Sequence, residues 1–184
     1  MRSYDFYDTL FCRLVARPTD IFRLVERELS LPGFAHARIR AERVARRAAA
    51  PREVTLDEIY QHLILPARSL REARALEERL EGSLLVPVRS MVERIRAEDL
   101  VVSDTYMAAG ALEGVLSSHV GIPSPRVVVS SVVGHRKADG SLWAYLARAH
   151  PDLVEHVGPA RHPIDALPGC QTRSSRARTR AEQP

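Results

Sequence analysis

The chain has 184 residues, of which 45% are hydrophobic and 27% charged, and this indicates a soluble globular protein with one core and space for an insert. Its only cysteines are Cys12 and Cys170, and it has no leading basic and apolar segment and no apolar run of membrane length. We therefore predict no disulfide framework, no secretion and no membrane association, which makes the cytoplasm the expected location.

The formal charge of +4 is concentrated at the C-terminal end. Between residues 171 and 184, four arginines against Glu182 give +3, which leaves +1 for the rest of the chain. A nearly neutral body is not typical of a polyanion-binding surface, and this basic stretch has no aromatic residue that could stack on a base. We predict a small-molecule substrate and no specific nucleic-acid partner.

The first element is a short β-prone run that ends at Asp5, with Thr9 and Leu10 four and five residues later. A carboxylate at the carboxyl end of a strand lies where open α/β sheets hold their ligands. The alternative is a plain strand-to-helix turn in which Asp8 or Thr9 is a cap. Because so few residues precede Asp5, the sheet is expected to be poorly anchored at this strand.

From Pro18 to Ser90 the pattern is helical. Two capping boxes, Thr55 with Glu58 and Ser69 with Glu72, predict two helix starts. The helix after the second box has an apolar stripe and an opposite charged face, so we predict that the charged face is exposed. The stripe consists of Leu70, Ala73, Leu76, Leu80 and Leu84, and the charged face of Glu77, Glu78, Arg79 and Glu81. Arg43, Arg46 and Arg47 are predicted to form another solvated face.

The second half alternates strands and helices. The strand 100–102 ends at Ser103 and Asp104, a further strand is predicted at 126–133, and a fourth at 153–157. Ser103 or Asp104 could alternatively cap the next helix. The order of elements predicts an α/β fold with a Rossmann-like parallel sheet and an inserted helical unit.

Lys137 is the single lysine among 27 basic residues. Because arginine supplies positive charge everywhere else, this position indicates a need for a compact ammonium that a planar guanidinium does not meet. The alternative is a surface lysine in a turn.

Asp5 with Thr9 and Leu10, Ser103 and Lys137 resemble, in type and spacing, the three signatures of the haloacid dehalogenase superfamily. The resemblance implies that Asp5 is a nucleophile, that Ser103 orients a phosphoryl group and that Lys137 balances charge. It implies substrate or phosphate binding by Thr9 and Asp104. It also implies a core of residues 1–13 and 91–158 with a helical cap at 14–90, because the insert resembles that of one uncharacterised branch.

The same resemblance implies a magnesium ion held by Asp5, the backbone carbonyl of Tyr7 and late acids. The branch pattern has Asp-Asn after the His156, Val157 and Gly158 positions, whereas this chain has Pro159 and Ala160 there. Asp165 is the acid nearest to the expected second position. We therefore expect a broken or displaced metal site.

Tyr7 occupies the position at which superfamily phosphatases carry a second Asp that acts as general acid and base. Asp8, one residue later, is expected to point elsewhere, because side chains alternate along an extended segment. Turnover of phosphate esters by the usual pair of aspartates is therefore not expected.

Residues 159–184 lose periodicity and are rich in Pro, Arg, Ser and Ala, which predicts an irregular, disordered tail and indicates a truncated or frame-shifted product. The favoured function is a phosphatase-type hydrolase that forms an aspartyl intermediate. Two alternatives remain: a catalytically inactive relative that serves as a binding or regulatory module, and a metal-independent dehalogenase-like hydrolase.

Overall fold

A computed structural model describes residues 1–120, 125–158 and 171–174 of the chain. Five strands form a parallel sheet in the order β5-β4-β1-β6-β7. They are β1 (Arg2–Asp5), β4 (Leu100–Ser103), β5 (Arg126–Val129), β6 (Glu155–Gly158) and β7 (Gln171–Ser174). The predicted α/β class with a parallel sheet is confirmed.

The strand that ends at Asp5 lies in the middle of the sheet. β1 pairs with β4 through Tyr4 and Val101, and with β6 through Ser3 and His156. The expectation of a poorly anchored strand is therefore wrong, because hydrogen bonds on both sides compensate for its shortness. Asp5 is fixed between two neighbouring strands.

Helices cover both faces of the sheet. On one face, Leu100, Val102 and Val128 pack against Leu142 and Trp143 of α8 (Ser141–Ala149). The opposite face joins the larger core, which extends into the helical insert. Because β4 is buried on both faces, its residues form a continuous apolar run, Leu100–Val102.

The insert contains four helices and is connected to the core by a two-stranded ribbon. The helices are α1 (Asp20–Glu28), α2 (Phe34–Ala49), α3 (Leu56–Tyr60) and α4 (Ala67–Ser83). The antiparallel ribbon pairs β2 (Phe11–Arg13) with β3 (Leu85–Pro87). Three further helices follow: α5 (Arg89–Val92), α6 (Ala109–Val120) and α7 (Ser130–Val133).

One of the two predicted capping boxes is present. Thr55 accepts from the backbone N–H of Glu58, whose carboxylate accepts from the Thr55 N–H. The prediction that Ser69 starts a helix is wrong, because α4 already begins at Ala67, after Pro66. Proline fits there since the first helical N–H groups need no partner inside the helix.

Two strand predictions need correction. The predicted strand 126–133 ends at Val129, and Ser130–Val133 is a single helical turn that closes at Gly134 with φ +72°. The predicted irregular tail contains β7, whose backbone pairs with β6 from Gln171 to Ser174. The remainder of the predicted tail, including Asp165, lies outside the described residues.

The insert has a buried ion pair between α2 and α4. Arg38 donates from Nε to Glu77 Oε2 at 3.0 Å and from Nη2 to Glu77 Oε1 at 2.7 Å, and both side chains are fully buried. The Tyr60 hydroxyl donates to Glu77 at 2.8 Å. Burial disfavours the charged guanidinium, but the attraction of Glu77 outweighs it and raises the pKa of Arg38.

The prediction of an exposed charged face on α4 is therefore wrong for Glu77 and Glu81. Both are buried, at 0% and 3% exposure. Glu81 meets Arg13 at 3.4 Å, and burial raises the pKa of its carboxyl. Their buried positions are explained by the arginines that face them, because a buried carboxylate needs a partner. No helix in the described part of the chain is long and apolar enough to cross a membrane.

We predict that Arg38→Met lowers the free energy of unfolding by about 3–5 kcal/mol, because Glu77 is left buried without its cation. Glu77→Gln should cost a similar amount, and the double variant should cost clearly less than the sum, because no unpaired buried charge remains. Denaturant unfolding measures these values. Arg40→Met, at an exposed position of the same helix, is the control and should change stability by less than about 0.5 kcal/mol. Additive losses would contradict the coupling.

Candidate active site

A pocket of about 260 Å³ lies at the carboxyl ends of β1 and β4. Asp5, Ser103, Asp104 and Lys137, which the sequence suggested from distant parts of the chain, all line it. Phe6, Tyr7, Asp8 and Val102 complete the lining. The position agrees with the rule that parallel α/β sheets bind ligands at their carboxyl edge.

Lys137 and Asp5 form a buried ion pair at this pocket. The ammonium Nζ contacts Asp5 Oδ1, and the two residues are only 5% and 4% exposed. Burial lowers the pKa of Lys137 to about 7, because desolvation disfavours the charged ammonium. The alternative of a surface lysine in a turn is excluded by its burial.

The loops that carry Ser103 and Lys137 are tied together. Ser130, at the end of β5, accepts from the Thr105 N–H at 2.9 Å and donates to the Thr105 carbonyl at 3.2 Å. The Lys137 N–H donates to Asp104 Oδ2 at 3.3 Å. Asp104 is exposed. Its carboxylate therefore lies at the edge of the pocket and accepts from the backbone of the loop that carries Lys137. These hydrogen bonds fix the two sides of the pocket relative to each other.

Two buried hydroxyl groups lack a hydrogen-bond partner among the described residues, those of Thr9 and Ser103. A buried polar group without a partner costs free energy, so such a group on a ligand pocket indicates a role in binding. Ser103 lines the pocket, whereas Thr9 is buried and is not part of the lining. The structure thus brings Ser103, but not Thr9, to the pocket surface.

Tyr7 and Asp8 follow Asp5 on the loop after β1, and their surroundings bear on the chemistry of the pocket. The Tyr7 ring packs against the Arg13 guanidinium at 3.6 Å, and burial, together with the nearby charge of Glu81, raises the pKa of the phenol. Asp8 has φ +58°, so the chain is not extended there and the alternation argument fails. Asp8 borders the same pocket as Asp5, contrary to the expectation that it points elsewhere.

His156 is a site residue to which the sequence assigned no role. Its Nε2 lies 3.5 Å from Asp5 Oδ1, and its Nδ1 lies 2.8 Å from the Ser3 hydroxyl. The Trp143 ring packs edge-on against the imidazole at 4.6 Å. Ser3 and Asp5 share one face of β1 because they are two residues apart, but only the pairing with β6 brings a histidine to that face.

The described residues do not fit a magnesium ion. Magnesium prefers octahedral coordination by oxygen atoms, commonly including carboxylates. Among residues 1–120, 125–158 and 171–174, no group of three or more His, Cys, Asp or Glu side chains could hold a metal. Pro159 and Ala160 have no donor side chains, and Asp5 Oδ1 is in contact with Lys137. Magnesium binding by Asp5, the Tyr7 carbonyl and Asp165 remains a prediction.

No protein-family model and no curated protein matches the sequence. The solved structures that are similar include two that match over most of the chain. The crystal structure of an L-2-haloacid dehalogenase matches with 17% identity, covers 85% of this chain and 75% of its own, and has a TM-score of 0.49. A putative haloacid dehalogenase-like hydrolase from Bacteroides fragilis matches with 19% identity, 86% and 78% coverage, and a TM-score of 0.45.

We predict that Ser103→Ala changes the free energy of unfolding by less than about 1 kcal/mol, because no described hydrogen bond is lost. The same change should weaken the binding of phosphate or tungstate to the pocket. Thermal unfolding and titration calorimetry measure the two effects. Ser130→Ala is the matched control, because its hydroxyl makes two buried hydrogen bonds, and it should cost about 1–3 kcal/mol. Unchanged oxyanion binding in Ser103→Ala would contradict the assignment.

Proposed function

We propose that this protein is a hydrolase of the haloacid dehalogenase type that uses Asp5 as a covalent nucleophile on a small phosphorylated substrate. The contact between Asp5 and Lys137 inside the pocket is the observation that carries the proposal. A buried ion pair is costly to maintain, and replacement by apolar residues is often neutral or stabilising, so its presence at a ligand pocket favours a chemical role.

The proposed reaction has two steps. A carboxylate oxygen of Asp5 attacks phosphorus, the bond to the leaving oxygen breaks, and that oxygen leaves with the bonding electrons and takes up a proton from solvent water. Water then attacks the phosphoryl group of the acyl phosphate, which releases phosphate and regenerates the Asp5 carboxylate. The Ser103 hydroxyl would donate to a phosphoryl oxygen. The Lys137 ammonium would offset the negative charge in a pocket with little water.

An apolar pocket next to the site suggests what the leaving group is like. It has a volume of about 280 Å³, and Phe6 and Tyr7 belong to its lining as well as to that of the Asp5 pocket. Leu85, Met107 and Val115 supply apolar walls, and Glu81 is a charged member of the lining. We propose that the apolar part of the substrate lies here, between α4 of the insert and α6 of the core.

The second candidate is hydrolysis of a carbon–halogen bond without a metal. It is favoured by the absence of a carboxylate at position 7, because a halide needs no proton to leave, whereas an alkoxide does. Asp5 would displace the halide from carbon to form an ester, and water would then attack the ester carbonyl carbon. The residues at the expected metal-binding positions favour the same alternative, since neither Pro159 nor Ala160 has a side chain that binds a metal.

We expect turnover of phosphate esters by the full chain and none by Asp5→Asn, because the amide is a poor nucleophile. A panel of phosphate esters and short 2-haloacids, assayed with magnesium and with a chelator, tests this directly. Circular dichroism checks that both proteins are folded. Turnover of haloacids alone would favour the second candidate, and no turnover by the folded protein would favour a binding or regulatory role.

Single turnover in ¹⁸O-labelled water distinguishes the two covalent routes. Attack of water on phosphorus puts the label into phosphate, and attack on the ester carbonyl puts it into Asp5. We expect labelled phosphate and an unlabelled Asp5 peptide by mass spectrometry. Label in the Asp5 peptide would contradict phosphoryl transfer, and Asp5→Asn is the control that should incorporate none.

We expect Ala111→Leu to raise KM for substrates with bulky apolar leaving groups by about tenfold, because the added side chain narrows the apolar pocket. KM for the smallest phosphate ester should change little. Steady-state kinetics over a series of leaving groups measures the effect. Ala108→Leu, an exposed position just before the same helix and outside the lining, is the control. An equal effect on all esters would contradict the location of the leaving group.

A further inference from the structure

His156 reaches Asp5 across the sheet rather than along the chain. Its backbone lies opposite Ser3 in the pairing of β1 with β6, so its side chain must extend diagonally, toward the next residue on the same face of β1, which is Asp5. The observed distances match this diagonal, with Ser3 Oγ at 2.8 Å from Nδ1 and Asp5 Oδ1 at 3.5 Å from Nε2. The imidazole is 1% exposed.

Gly158 leaves the space that this diagonal needs. A Cβ atom at Gly158 would lie 2.7 Å from His156 Nε2 and 2.9 Å from Asp5 Oδ2, and both distances are shorter than real Cβ contacts allow. Gly158 does not belong to the glycines with positive φ, so the reason for glycine here is steric rather than conformational. A side chain at this position would force the imidazole, the carboxylate or both to shift.

The surroundings restrict the two side chains further. Lys137 contacts the same oxygen of Asp5 that faces His156. The Trp143 ring packs against the imidazole at 4.6 Å and lies 5.5 Å from Lys137 Nζ. An indole that contacts both groups limits their movement, so Oδ1 is held between an ammonium and an imidazole.

We infer that His156 is a positioning residue: oriented by Ser3, it carries a proton on Nε2 and directs it at Asp5 Oδ1, which together with Lys137 fixes the carboxylate for attack. The opposite tautomer would direct a nitrogen lone pair at a carboxylate oxygen, which is repulsive, whereas a proton from the Ser3 hydroxyl suits a bare Nδ1. This inference rests on the proposed function and adds a residue to the same site.

Long-range ¹H–¹⁵N spectra of the wild-type protein test the contact without any turnover. We expect the His156 signals to show a proton on Nε2, and Ser3→Ala to change them. A bare Nε2 would overturn the inference whatever the activity. Absence of turnover together with a protonated Nε2 would count against the proposed function and leave the contact established, so the two failures are distinguishable.

Kinetics test the positioning role. With the best substrate of the panel, we expect His156→Leu to lower kcat by about 10²-fold with little change in KM, because a displaced nucleophile slows the chemical step more than binding. His156→Gln, which can still donate an N–H, should recover part of the loss. Ser3→Ala removes a single hydroxyl and is expected to keep the fold. It should lower kcat, as His156→Leu does.

Gly158→Ala should resemble His156→Leu, because the added methyl group separates the imidazole from Asp5. Gly114→Ala is its matched control, since a Cβ there meets nothing within 4 Å. Unchanged kcat in both Ser3→Ala and Gly158→Ala, with folding verified by thermal unfolding, would overturn the positioning role. Equal losses in His156→Gln and His156→Leu would do so as well.

Discussion

The buried contact between Asp5 and Lys137 is the constraint on which the rest of the site depends. Two opposite charges at 4% and 5% exposure are tolerated only when they remain together, because either one alone would be strongly destabilised. Their contact requires β1 to lie at the centre of the sheet and the loop after β5 to return over its carboxyl edge. The hydrogen bonds between Ser130 and Thr105, and between Lys137 and Asp104, keep that loop in place.

A second buried charge network holds the insert against the core. Tyr106, three residues after Ser103, donates to Glu81 of α4 at 3.4 Å, and its ring lies 4.9 Å from the Arg38 guanidinium. The Tyr106 carbonyl accepts from the Leu56 N–H at the start of α3. The segment that lines the pocket is therefore the segment that contacts the insert. A change in the packing of the insert would therefore alter the position of Ser103, because Tyr106 is only three residues further along the chain.

The chemistry open to the site is limited by the groups that surround Asp5. Lys137 supplies a positive charge, and Ser103 supplies a hydroxyl donor, which together suit an anionic group. Position 7 supplies an aromatic ring that packs against the Arg13 guanidinium, rather than a carboxyl that could protonate a leaving oxygen. Asp8 and Asp104 bring carboxylates to the rim of the pocket. Under the proposed function, the nature of the leaving group would decide how well this site can work.

The sequence by itself determined the class of fold and suggested Asp5, Ser103 and Lys137, because short local motifs carry these residues, and the structure brings all three to one pocket. It could not place Glu77 and Glu81, since a carboxylate on a helix is buried or exposed according to whether an arginine from elsewhere faces it. It missed His156 for the same reason: only the register of β1 against β6 decides that a histidine lies beside Asp5. Asp8 was misjudged because one residue with positive φ ends the alternation of side chains. The charged partner of a buried side chain, the register of paired strands and the residues at which the backbone leaves the extended conformation all depend on contacts between distant segments. Only the tertiary structure decides these contacts.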